Sequence, residues 1–394
     1  RQNVAELVQK EIDRLTRSKV SKIIFISHLQ DVNEDLALAS LLKNVDIMIA
    51  GGGDELLAEP GDLLVPGDDP ASAFGPYPLT ATGADGTEIP VVTTAGSYKY
   101  VGRLIVGFNK KGEVIKVDEK SGLVRVAGGS NSDAVQPDPF IQANVVEPVQ
   151  DYVDGLAANV IATSEVALEG RRSPGIRTME TNEGNLAADA LFYQAALLAP
   201  GFGTPLPDVA LQNGGGIRND TLIPAGPITE LTTFDIFPFT NFVSIVPAVP
   251  RSQFKEIMEN AVSRIPVADG RFAQISGFTM AYDPAGTAQE LDADLNVVTP
   301  GTRVREIVLD DGTVIVTGGV VQAGDPIDIA TIDFSARGGD QYPFRGIPFT
   351  TLGVVYQQAL FNYITDSAAN GGLAGLITSA QYPEGGEGRI TTVP

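Results

Sequence analysis

The alternation of apolar and polar positions divides the chain into two stretches of layered α/β character. Val4, Leu7, Val8, Ile12 and Leu15 recur at helical spacing among charged residues, which predicts an amphipathic helix at the start. Residues 22–27 (K-I-I-F-I-S) read as a buried strand ending at His28. Residues 36–42 read as a short helix, and 45–50 (V-D-I-M-I-A) as a second buried strand leading into a glycine triplet. Continuous apolar strands separated by a helix predict a sheet with helices laid over it. Residues 60–85, rich in Pro, Gly and Asp, predict a long surface loop. Strands at 91–94, 100–108 and 114–117 are expected to close this unit as an antiparallel tail.

Residues 128–139 are small, polar and proline-bearing, and read as a domain linker; a connecting helix is expected at 140–158. The organisation is therefore 1–127, then 128–160 as linker and helix, then a second unit over 161–394. In that unit helices are expected at 186–198, 253–265 and 355–364. Strands are expected at 208–212, 242–246, 278–283, 303–309, 313–316 and 327–331. Asp310-Asp311-Gly312 reads as a hairpin turn, with glycine supplying a positive φ.

Composition narrows the class. The 394 residues carry 49 acidic and 27 basic side chains, a formal charge of −22. Such a field repels nucleic acid and anionic membrane surfaces, and it disfavours anionic substrates unless a local cationic site overrides it. There is no cysteine, which fits an exported protein, and no apolar run approaches the length of a membrane span. A periplasmic or extracellular location is the expectation.

The chemistry concentrates in five segments of the second unit. Arg177 precedes E-T-N-E-G-N-L-A-A-D-A-L, whose Asn or Thr is placed to cap a helix. N-G-G-G-I-R (residues 213–218) follows a buried strand, and its glycines are read as a turn with φ > 0 that lets backbone N–H groups approach a ligand. F-P-F (237–239), G-R-F-A-Q-I-S-G-F (270–278) and D-F-S-A-R-G-G-D-Q-Y-P-F (333–344) complete the set. Aromatics on separate loops can sandwich a flat base, carboxylates and amides can read hydroxyls and ring nitrogens, and arginines can fork onto phosphate. Together and in this order, the five resemble the C-terminal domain of the 5′-nucleotidase family. The resemblance implies a nucleoside pocket: Phe239 and Phe334 around the base, Asp340 on the ribose, Asn213 at the base edge beside Gly215, and Arg177 and Arg218 on the phosphate.

The first unit then resembles the later half of that family's metallophosphoesterase domain. The implied fold is a partial metallophosphoesterase α/β sandwich followed by a 5′-nucleotidase C-terminal α/β domain, mixing α/β and α+β character. Ser27-His28-Leu29 matches a strand-end motif of the family, which makes His28 a candidate metal ligand. The segment after the second strand departs from the pattern: the family's first histidine falls on Gly53, and the next ligand position on Glu55, a hard oxygen donor suited to Mg, Mn, Ca or Zn. The upstream Asp-x-His, Gly-Asp and Gly-Asn-His-Asp blocks, which would supply the other ligands of a two-metal site and the catalytic histidine, have no counterpart here. The resemblance thus implies a divalent-metal phosphohydrolase of nucleoside monophosphates whose remaining ligands come from a further N-terminal segment of the same protein. A binding or structural subunit with a degenerate metal site is the alternative.

Overall fold

The computed structural model describes residues 2–393, which form two compact units, Arg1–Gln142 and Ala143–Pro394.

In the first unit the opening periodicity becomes helix α1 (Gln2–Arg17), which buries Ala5 and Ile12. Two short strands, β1 (Ile24–Ile26) and β2 (Ile47–Ile49), flank α2 (Val32–Ala39), whose N-terminus is capped by the Asp31 side chain accepting from Asn33 N. The stretch read as one long loop contains a strand, β3 (Leu79–Thr82), which pairs antiparallel with β4 (Glu88–Val92). β4 also lies parallel to β2, and so belongs to the central sheet and not to an antiparallel tail. The sheet order is β1-β2-β4-β3. The tail proper is two small antiparallel pairs: β5 (Tyr100–Arg103) with β8 (Gly122–Arg125), and β6 (Val106–Phe108) with β7 (Val114–Val117). One face of the sheet is closed by Val32, Leu38, Leu42, Met48 and Val91. On the other, Ile24 and Ile26 are 54% and 68% exposed, and a cleft of about 540 Å³ runs from Ile24, Ile49 and Leu104 to Gly51–Gly53.

The helical stretch after the linker is α3 (Pro139–Ile141), one wide π turn, and α4 (Glu147–Ala158). β9 (Val160–Ser164) joins a small sheet, and β10 (Leu168–Glu169) leads to the kinked segment 172–176. Helix α5 (Asn182–Phe202) starts four residues earlier than the apolar pattern suggests, because Thr181 caps it by accepting from Gly184 N at 3.0 Å. Then come β11 (Val209–Asn213), β12 (Leu222–Ile223), β13 (Gly226–Thr229), α6 (Glu230–Ile236), β14 (Phe242–Val249) and α7 (Arg251–Val262). β15 (Ala273–Ser276), β16 (Phe278–Tyr282), the small hairpin β17 (Glu290–Leu291) and β18 (Val297–Thr299), β19 (Val304–Leu309), β20 (Val314–Thr317) and β21 (Val320–Val321) follow. The chain closes with β22 (Ile327–Ile332), α8 (Asp333–Ala336), β23 (Thr350–Val355), α9 (Tyr356–Thr365), β24 (Leu376–Ile377) and β25 (Ile390–Thr392).

The organising sheet of this unit is β15-β11-β22-β14-β23, with only β11 and β22 parallel. α5 and α9 cover one face through Leu186, Leu191, Tyr356 and Leu360, while α7 covers the other through Phe254, Ile257 and Met258. The ends of β11 and β22 carry the N-G-G-G-I-R and D-F-S-A-R segments, so sheet geometry alone brings two of the five motifs side by side.

Candidate functional site

Asn213 ends β11, and its Nδ2 donates to Asp340 Oδ2 at 2.6 Å. None of the three glycines that follow has a positive φ, contrary to the reading of the turn from sequence. They are needed for close approach. A β-carbon on Gly214 would lie 2.7 Å from Ile176 O; one on Gly215 would lie 2.8 Å from Asp340 Oδ2 and 3.0 Å from Gly270 Cα. Gly215 N donates to Gly270 O at 2.8 Å, locking the turn to G-R-F.

Positive φ appears instead at Asp340 (50°) and Gln341 (58°). That conformation is held by Asn260 Nδ2 donating to Asp340 O at 3.1 Å, and by Arg271 Nη1 donating to Gln341 Oε1 at 3.2 Å. Burial raises the Asp340 carboxyl above its ordinary range, against the Asn213 bond, which lowers it; Asp269 raises it further, while Arg271 and Arg177 lower it. Phe334 is the second residue of α8, just after β22, where Asp333 accepts from Phe242 N at 2.8 Å and from Arg337 Nη1 at 2.6 Å. Its ring packs on Gly339, where any side chain would collide with it, and 41% of Phe334 stays exposed.

Arg218 leaves the glycine turn with its guanidinium 5.4 Å from the centre of the Phe239 ring, a cation–π distance. Of the F-P-F aromatics only Phe239 is open, at 47% exposure. Phe237 is buried and stacks on Tyr356 at 4.1 Å between ring centres. Tyr356 Oη donates to Gly216 O at 3.2 Å and accepts from Phe239 N at 3.2 Å, tying F-P-F to the glycine turn. Arg177 sits on the segment before α5. Burial holds its basicity down, and the nearby charges of Arg172 and Arg218 push the same way; Asp340 and Asp220 oppose them. Its Nε and Nη2 are buried without a hydrogen-bond partner. That segment is stapled from beneath by the buried Gln274 of β15, whose Nε2 donates to Ile176 O at 3.0 Å and Met179 O at 2.8 Å.

Arg177, Asn213, Gly215, Arg218, Phe239, Phe334 and Asp340 therefore lie on one connected network of bonds, packing contacts and electrostatic influence. Gln274, Tyr356, Asn260, Arg271 and Asp269 support it; Arg271 and Gln274 lie within the G-R-F-A-Q-I-S-G-F segment, while Tyr356, Asn260 and Asp269 lie in none of the five.

His28 and Glu55 lie in the first unit. Gly52 (φ 87°) backs onto the imidazole, where a β-carbon would be 2.9 Å from His28 Nε2. Glu55 Oε1 accepts from Val32 N at 3.2 Å, and the rest of its carboxylate fills the space that a side chain on Gly53 would need. Among the described residues no three His, Cys, Asp or Glu side chains gather as a metal-ligand group. The donors present do not fit a two-metal centre.

The second unit is thus a mixed α/β domain with half-open aromatics, a buried carboxylate and unpartnered guanidinium nitrogens. Residues 160–345, just under half of the chain, match the family model described as 5′-nucleotidase, C-terminal domain. The snake venom 5′-nucleotidase of Naja atra is 30% identical over 310 residues, covering 77% of this chain and 55% of the venom protein. The human 5′-nucleotidase is 27% identical over 344 residues, covering 85% of this chain and 54% of its own length. A 5′-nucleotidase precursor from Thermus thermophilus superposes with a TM-score of 0.60 at 26% identity, over 99% of this chain and 67% of that one. This chain spans about half the length of the venom and human relatives. Its relatives are 5′-nucleotidases, and hydrolases accordingly.

Proposed function

We propose that the second unit holds a nucleoside monophosphate for a 5′-nucleotidase-type phosphohydrolase. The base lies with Phe239 and Phe334, the ribose hydroxyls at Asp340 and Asn213 beside Gly215, and the phosphate at Arg177 and Arg218. The observation that carries this reading is Arg177. A buried guanidinium with two unpartnered nitrogens, set near two further arginines, calls for an anion in a chain of net charge −22. Phosphate is the anion that suits it, since planar guanidinium forks match phosphate oxygens.

Hydrolysis belongs to the complete protein. Divalent metal would supply the water-derived nucleophile and charge neutralisation there. His28 and Glu55 contribute at most a fragment of its ligand set, and a further segment of the same protein supplies the remainder by packing on the apolar face at Ile24 and Ile26. The venom relative supports a periplasmic or extracellular location. A second reading, binding without turnover, is favoured by Glu55 filling the place of a side chain at Gly53.

Titration of the chain with AMP and adenosine, followed by AMP hydrolysis by the full-length protein with Mn, Zn, Co or Ca, separates these readings. AMP bound more tightly than adenosine, with turnover in the full-length protein, supports the enzyme. Binding with no turnover under any metal supports the binder, and no nucleotide affinity overturns both. Phe239→Ala and Phe334→Ala are each expected to weaken AMP binding roughly 5- to 150-fold, the range of about 1–3 kcal/mol of stacking.

A further inference from the structure

Glu183, in the first turn of α5, is fully buried with one partner for two oxygens. Its Oε2 accepts from Asn219 Nδ2 at 3.0 Å, while Oε1 has no hydrogen bond. Asn219 mirrors it: the amide nitrogen donates and the buried Oδ1 has no partner. Both orphan oxygens border one small space above Gly170, where a β-carbon would lie 2.3 Å from Asn219 Nδ2, 2.6 Å from Glu183 Oε1 and 2.7 Å from Asn219 Oδ1. Two buried unpartnered oxygens around one small space are costly, and a proton shared between them would relieve both. A neutral carboxylic acid supplies one: its O–H donates to the amide carbonyl while the amide N–H donates to the acid carbonyl, closing a ring of two bonds.

The surroundings favour the neutral form. Among the described residues no cation pairs with Glu183. On β10, Glu169 faces it and is itself paired with Arg171; Asp220, beside Asn219, is paired with Arg172; Glu180, ahead of the helix cap, is bonded to backbone N–H groups near the C-terminus. Burial pushes the Glu183 carboxyl up to about 8, with Glu169 adding to the rise and the Asn219 bond opposing it.

Asn219 directly follows Arg218. The turn is docked at one side by Gly170 N donating to Thr221 O at 3.0 Å and Arg172 N to Asp220 Oδ1 at 2.9 Å, and at the other by Glu183. We propose that Glu183 is a positioning residue for Arg218: as a protonated acid paired with Asn219, it pins the turn carrying Arg218 onto the start of α5. Loss of that proton to solvent leaves a carboxylate against the Asn219 carbonyl oxygen, and the turn loosens. This role rests on the nucleotide reading above; the pair itself does not.

Glu183→Gln keeps the ring, because a second amide can donate to Asn219 Oδ1 and accept from Asn219 Nδ2 with no proton to lose. Glu183→Leu abolishes it at every pH. The chain is compared with both variants by thermal unfolding from pH 5 to 10, and by AMP and adenosine titration from pH 7 to 10. An unfolded glutamate ionises near 4.5 and the native one near 8, so the native state holds the extra proton between those values and stability falls as pH rises through that window. The Tm of wild type should therefore drop relative to Glu183→Gln by several degrees between pH 5 and 8, then run parallel. Wild-type affinity for AMP should fall about 10-fold above pH 8, the scale of one charge-assisted hydrogen bond, while Glu183→Gln holds and Glu183→Leu is weak throughout. Adenosine binding should stay level in wild type and Glu183→Gln. Parallel Tm profiles for wild type and Glu183→Gln overturn the pair. A Tm gap with no change in AMP affinity overturns the positioning role. No AMP binding by any form overturns the nucleotide reading, and the Tm gap then judges the pair alone.

Discussion

Arg177 shows what a single residue can surrender in stability for a ligand. Two of its guanidinium nitrogens, Nε and Nη2, are buried unpaired, so replacing it with an apolar chain of similar length removes a desolvated charge. Arg177→Met is expected to raise the Tm of the free chain, by about 1–3 kcal/mol of recovered desolvation, while weakening AMP and leaving adenosine unchanged in calorimetric titration. A lower Tm would mean that the arginine is serving the fold. Gly215→Ala, which sets a β-carbon 2.8 Å from Asp340 Oδ2, should lower affinity for AMP and adenosine together, because Asp340 must shift. The residues that touch a nucleotide in this reading are legible in the sequence because they sit in short motifs. Their supports are less so: Gln274 lies in the G-R-F segment, but it and Tyr356 act on backbone about 95 to 140 positions away, and a pattern read along the chain has no access to that distance.

At the scale of elements, apolar runs located β1, β2, β11 and β22 to within about two residues, because their buried positions are mostly apolar, and β14 to within three, whereas β15 and β23 of the same sheet as β11 went unread. Boundaries set by capping were less visible. α5 begins at Asn182 because a hydroxyl at Thr181 outweighs the polar composition of its first turn. The short strands β3 and β8 were hidden by the glycine and proline around them. Glu180 ties two distant elements together: its carboxylate accepts from Asn185 Nδ2, Glu387 N, Gly388 N and Ile390 N, fastening β25 to the start of α5. Glu180→Ala strands those donors in a buried place, and a loss of about 3 kcal/mol or more is expected, roughly 6 °C or more in Tm. Exchange of the amide protons of 387–392 should rise in the same variant.

At the scale of whole units, the first presents an uncovered sheet edge. Ile24 and Ile26 stand on an edge strand with a bare apolar face, a surface that favours association. Ile24→Ser with Ile26→Ser should reduce light scattering by concentrated chain without altering AMP binding, whereas unchanged scattering would place any association elsewhere. Glu55 and a side chain at position 53 compete for one volume, so the two positions are not free to vary independently. Gly53→His introduced alone forces Glu55 out of its place beside Val32 N and should destabilise the unit, and the loss should shrink when Glu55 is shortened in the same chain. Placing a histidine at position 53 is thus a two-step path whose first step must be taken at Glu55.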